Sequence, residues 1–133
     1  LLLPSYESEG ASGMDLRAAI EETIVLWVDE TKIIPTGFAM EIPKGFEAQI
    51  RPRSSMGAKG IIIPNAPGTI DCDFRGEVLV ILHNLGPEPF KISPGARIAQ
   101  MVIAPVCRMQ VSEVSALTET VRGVGGFGST GAL

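Results

Sequence analysis

The chain has 133 residues, 45% hydrophobic and 20% charged, with a net charge of -4. That length sets one domain with a sizeable core, and the balance excludes a disordered chain. An acidic protein with no run of Lys or Arg is not built to live on nucleic-acid phosphates, and no apolar run approaches the ~20 residues of a membrane span, so neither partner is expected.

In chain order, the opening "LLLP" is too short for a signal-peptide core, and its lack of Met implies further N-terminal residues. Short apolar runs follow: "TIVLWV" 23–28, "TKIIPTGFAMEI" 31–42, "FEAQIRP" 46–52, "GIIIP" 60–64, "EVLVILHN" 77–84 and "RIAQMVIAP" 97–105. They are rich in Ile, Val, Phe and Thr and are cut by "IPKG", "NAPG" and "SPGA". Many short strands with regular turn signals predict an all-β sandwich, barrel or jelly roll. Only "SSMGAKG" offers a helical turn, and no repeat or linker divides the domain. Cys72 and Cys107 lie far apart and the chain has one histidine, so a zinc site is not expected. Two free thiols suit a reducing, cytoplasmic setting.

Three stretches and the tail carry candidate chemistry. "RPRSSMG" 51–57 places Arg51, Arg53, Ser54 and Ser55 after a strand, where they are either a polar turn or donors for phosphate oxygens. "IPNAPGTID" 63–71 reads as a strand, a Pro-Gly turn and a return strand carrying Asp71, with Asn65 either a turn residue or an amide able to read a base edge. "TIDCDFRGEV" 69–78 alternates, with Asp71, Asp73, Arg75 and Glu77 on one parity and Ile70, Cys72, Phe74 and Val78 on the other. As a strand it would show one charged and one apolar face. His83 stands alone, and no "GxSxG" elbow supports serine hydrolysis. Five of the last 12 residues, "RGVGGFGSTGAL", are glycine. They make either a frayed tail or a backbone nest for an anion.

Taken together, "ASGMDLRAA" 11–19, "RPRSSMGAKG" 51–60, "NAPGTIDCDFRGEV" 65–78, "GARIAQMVIAP" 95–105 and "RGVGGFGSTG" 122–131 resemble the five ordered motifs of the trimeric dUTP pyrophosphatases, the dUTPases. The resemblance implies a jelly-roll domain over residues 1–121 and a flexible glycine-rich flap over 122–133. It implies a homotrimer whose three sites lie between subunits. The expected reaction is Mg²⁺-assisted hydrolysis of dUTP to dUMP and pyrophosphate, which limits uracil in DNA and supplies dUMP for thymidylate synthesis.

The residue roles that follow are those of the resemblance. Asp71 orients and activates the water that attacks the α-phosphorus, and holds the deoxyribose 3′-hydroxyl. Asn65, the backbone of Thr69 and Ile70, and main chain around Leu79 read the uracil edge. Phe74 stands where the family usually has Tyr and walls the deoxyribose against a ribose 2′-hydroxyl. Asp71 and Phe74 then both face ligand despite opposite parity, so a regular strand is not expected there. Arg53, Ser54 and Gln100 contact phosphates, while Ser55 replaces a usual glycine. Asp15 lies near the water shell of Mg²⁺, which is held mainly by the triphosphate. Arg122 reaches the γ-phosphate, Phe127 covers the uracil, and Gly128, Ser129 and Thr130 supply phosphate donors.

Two rival readings conflict with particular residues. The related dCTP deaminases share an "RSS" like that of Arg53–Ser55, but carry a glutamate three residues before the asparagine matching Asn84. Here that position is Ile81, which cannot shuttle protons. A non-catalytic nucleotide-binding trimer would not be expected to keep Asp71, Arg53, Ser54, Gln100, Arg122 and Phe127 together.

Overall fold

A computed structural model describes residues 2–133. Among them are nine strands and one helical turn. β1 is Met14–Arg17, β2 Ile24–Leu26, β3 Thr31–Pro35, β4 Phe46–Arg51, α1 Ser54–Gly57, β5 Ile61–Ile62, β6 Gly68–Ile70, β7 Leu79–Asn84, β8 Phe90–Ile92 and β9 Arg97–Pro105. A four-stranded sheet runs β1-β9-β4-β6, a three-stranded one β3-β7-β5, and β2 pairs with β8. Every ladder is antiparallel, giving the expected all-β jelly roll. No described helix is long and apolar enough to cross a membrane.

One core cluster joins the sheets: Leu16, Ala48, Ile50, Ala99 and Met101 come from the four-stranded sheet, and Leu26, Ile34, Ile61, Val80, Leu82 and Ile92 from the other strands. Alternation decides which side chains enter it. In β4, Ala48 and Ile50 are buried while Glu47, Gln49 and Arg51 point outward. In β7 the inward set is Val80, Leu82 and Asn84.

Several boundaries differ from the sequence expectations. The run 31–42 stops being strand at Pro35, because Gly37 turns the chain at φ 77° and the Thr36 hydroxyl donates to the Val78 carbonyl at 2.6 Å. The strand expected from residue 77 begins at Leu79. β1 and β8 were not expected; at four and three residues, with Asp15, Arg17 and Lys91 among them, they lie outside the apolar runs that marked the other strands. Beyond Pro105 the described chain carries no strand and is exposed.

Candidate functional site

The return strand after the Pro-Gly turn ends at Ile70, so Asp71 lies just outside it. There the Phe74 amide donates to the Asp71 carbonyl at 3.1 Å, closing a four-residue turn. The two-faced strand suggested by alternation is absent from 71–78, and the irregular backbone expected from the shared facing of Asp71 and Phe74 is what the fold contains. The turn brings Thr69, Ile70, Asp71, Phe74 and Leu79 around one cleft of about 210 Å³, together with Glu77 and Val78. Phe74 remains 46% exposed at its wall. Asn65 sits in the hairpin bend, where the Ala66 amide donates to the Ile63 carbonyl, and its amide nitrogen lies against Gly68, next to Thr69.

A second cluster gathers at the far end of β4. Arg53 Nε pairs with Asp15 Oδ1 at 3.2 Å, and Arg97 Nη1 pairs with Asp15 Oδ2 at 3.3 Å. Arg97 Nη2 also meets Glu7 Oε2 at 3.4 Å. The Asp15 side chain is 15% exposed, so both of its oxygens are engaged in a partly desolvated setting. Gln100 stands opposite Asp15 in the β1–β9 ladder and opposite Arg51 in the β4–β9 ladder. Its amide lies tight against Gly13 and donates to the Pro52 carbonyl at 2.9 Å. α1 anchors through buried Met56, which turns Ser54 and Ser55 out to solvent.

The two clusters are well separated. Ile70 is opposite Ala48, and the antiparallel direction carries Asp71 on toward Glu47, whereas Arg53 follows Arg51 at the other end of β4. β6 and β1 are opposite edges of the sheet. With strands ~4.8 Å apart and a rise of ~3.3 Å per residue, Asp71 and the Arg53–Asp15 pair lie on the order of 20 Å apart. The tail joins neither cluster: among the described residues, Arg122 Nε donates to the Gly125 carbonyl at 2.9 Å, Ser129 bonds Gly126, and Phe127 is fully exposed.

A family model described as dUTPase matches residues 2–131. The chain belongs to the dUTPase family. It is 59% identical over 132 residues to the deoxyuridine 5′-triphosphate nucleotidohydrolase of Rhizobium johnstonii, covering 97% of this chain and 85% of that one. The enzyme of the same name from Rickettsia felis is 57% identical over 130 residues, covering 97% and 88%. The structure of Staphylococcus bacteriophage 80alpha dUTPase with dUPNHPP matches with a TM-score of 0.89 at 26% identity, covering 98% of this chain and 92% of that one.

Within this dUTPase fold, Arg75, Glu77 and Arg97 do more than sequence reasoning assigned. Arg75 Nη1 donates to the carbonyls of Cys72 at 2.7 Å and Phe74 at 3.1 Å, holding the turn that presents Asp71 and Phe74. Glu77, read from the sequence only as one of a row of charges on one parity, accepts from the Gly37 amide at 2.7 Å and ties the hairpin to the end of β3. Arg97 stood unassigned inside a quoted motif; the ladder sets it opposite Arg17, and its side chain reaches past to pair with Asp15.

Proposed function

We propose that this chain hydrolyses dUTP to dUMP and pyrophosphate, with Asp71 as the base that orients and deprotonates the attacking water at the α-phosphorus. The family gives the reaction class, hydrolysis of dUTP. The single observation that carries the finer reading is the turn gathering Asp71, Phe74, Thr69, Ile70 and Leu79 around one small cleft. It offers a carboxylate, an aromatic wall and strand-edge backbone together. These are the parts needed to hold a sugar, read a flat amide-like edge and polarise a water.

Among the described residues Arg53 meets Asp15 through Nε, which leaves its Nη groups as a fork for phosphate oxygens, beside the Ser54 and Ser55 hydroxyls. Gln100, held at Pro52 and Gly13, adds an amide to that group. Mg²⁺ fits these residues as an ion carried by the triphosphate: no cluster of three or more His, Cys, Asp or Glu among the described residues could hold it. Asp15 retains lone pairs for a water of the ion's shell after pairing with both arginines. When bound, the ion neutralises charge on the leaving pyrophosphate.

Separation of the Asp71 and Arg53 clusters supports a site completed between copies of the chain, in a homotrimer, since one copy does not bring both to a single triphosphate. Residues 122–133 then act as a flap, with Arg122, Gly128, Ser129 and Thr130 toward phosphate and Phe127 over the base. An exposed, glycine-rich segment whose one hydrogen bond beyond itself, among the described residues, runs from the Gly123 amide to the neighbouring Thr120 hydroxyl suits ordering on substrate. We place the activity in the cytoplasm, where it limits uracil in DNA and supplies dUMP.

The test is incubation with Mg²⁺ and dUTP, dCTP, dTTP or UTP, with products resolved by chromatography. dUMP and pyrophosphate from dUTP alone are expected, and Asp71→Asn should lower kcat by roughly 10²–10⁴ while binding persists. Ammonia from dCTP would transfer the reading to deamination. Ile81 stands against that, because it pairs with Ile33 inside the β3–β7 ladder and presents no proton carrier.

A further inference from the structure

We propose that Gly76 is a specificity-determining residue, whose missing side chain is what allows the Phe74 ring to stand against the sugar. This rests on the reading of Phe74 as the deoxyribose wall. A Cβ built on Gly76 would lie 2.5 Å from Phe74 Cζ and 3.0 Å from its Cε2, and the nearest atoms it meets all belong to that ring. No carbon tolerates such an approach, so the ring must leave if the Cβ arrives.

The backbone does not itself demand glycine at this position. Gly76 is outside the group of glycines with positive φ, which runs through Gly37, Gly45, Gly60 and others. An L-residue could therefore adopt its conformation. The conflict is confined to one side chain, and that side chain is 46% exposed and free to swing outward. The cost of a Cβ then falls on the position of the aromatic wall and little on the stability of the fold.

Arg75 closes off the other means of relief. Its guanidinium bridges the Cys72 and Phe74 carbonyls, and the Phe74 amide is held by Asp71, so the Phe74 backbone is fixed from both sides. Relief is left to the side-chain torsions. A ring rotated away from the cleft opens the space where a ribose 2′-hydroxyl would otherwise clash.

The experiment is a double-mutant cycle of Gly76→Ala and Phe74→Ala, measuring kcat/KM for dUTP and UTP together with Tm. Gly76→Ala is expected to shift Tm by no more than about 2 °C and to lower the dUTP-over-UTP ratio by roughly tenfold. Phe74→Ala should lower the ratio at least as far, and adding Gly76→Ala to it should change nothing more. If Phe74→Ala leaves the ratio intact, the reading of Phe74 falls and the role of Gly76 with it. If Phe74→Ala lowers the ratio and Gly76→Ala does not, the reading of Phe74 stands and Gly76 loses its role. An equal loss from Gly76→Ala with or without the ring would also overturn it. Should Gly76→Ala fail to fold, the double variant decides: a folded double variant supports the ring conflict, and an unfolded one overturns it.

Discussion

Asp15 carries two arginines on one carboxylate, and this changes what its neighbours are free to do. An arginine on a surface turn samples many rotamers; one whose Nε is held at 3.2 Å by a largely buried carboxylate presents its remaining donors in a fixed plane. Arg97 holds the other oxygen, and Glu7 holds Arg97 in turn, so the fork of Arg53 is set by a chain of four charges. Arg97→Ala should leave Asp15 free to rotate and Arg53 less well aimed. We expect KM for dUTP to rise roughly three- to tenfold, the size of a charge-assisted contact loosened but not lost, with kcat little changed. Steady-state kinetics in Mg²⁺ would check this split; a fall in kcat alone would contradict it. These charges are plain in the sequence, but their partners are not: Glu7 and Arg97 are joined only by the fold.

At the scale of the element, β4 and β7 were legible because each carries a six-residue alternation, while β1 and β8 were not because packing, more than pattern, makes them strands. The stretch 69–78 shows the converse. Its near-perfect alternation is not strand beyond Ile70, since a turn closed by backbone and clamped by Arg75 overrides the pattern. Asn84 ends β7 with no exposure at all. Its amide donates to the carbonyls of Leu26 at 3.0 Å and Glu88 at 2.8 Å, and its side-chain oxygen accepts from the Gly86 amide at 2.8 Å. It thus joins β2, β7 and the loop before β8. Asn84→Ala should orphan all three partners and cost about 2–4 kcal/mol, read as a lowered Tm. Leu82→Ala, at 1% exposure in the same strand, should cost a comparable ~2–5 kcal/mol by leaving a cavity.

For the whole molecule, the distance between the Asp71 cleft and the Arg53–Asp15–Gln100 group makes a direct prediction. If a site takes Asp71 from one copy and Arg53 from another, Asp71→Asn and Arg53→Ala should each be nearly inactive alone. After co-refolding at equal ratio, roughly a quarter of the sites should contain both native residues, because closed symmetric assembly mixes the copies at random. Recovered turnover near that fraction, appearing only after subunit exchange, would establish a shared site. Failure of any mixture to regain activity would place both residues in one chain's site.

The sequence by itself determined the class of this protein. Turn residues and short branched-aliphatic runs dictate an all-β domain, and five ordered motifs with Asp71, Arg53, Gln100 and the glycine-rich end carry the family. These are local properties, written in spacing and side-chain type, and they survive without coordinates. The tertiary structure decided which residues act together. Register set Asp15, Gln100 and Arg51 side by side, a turn overrode the alternation around Asp71, and close packing made Gly76 answer to Phe74. Those depend on contacts between residues far apart in the chain or on atoms a few ångströms apart in space, and spacing along a sequence encodes neither.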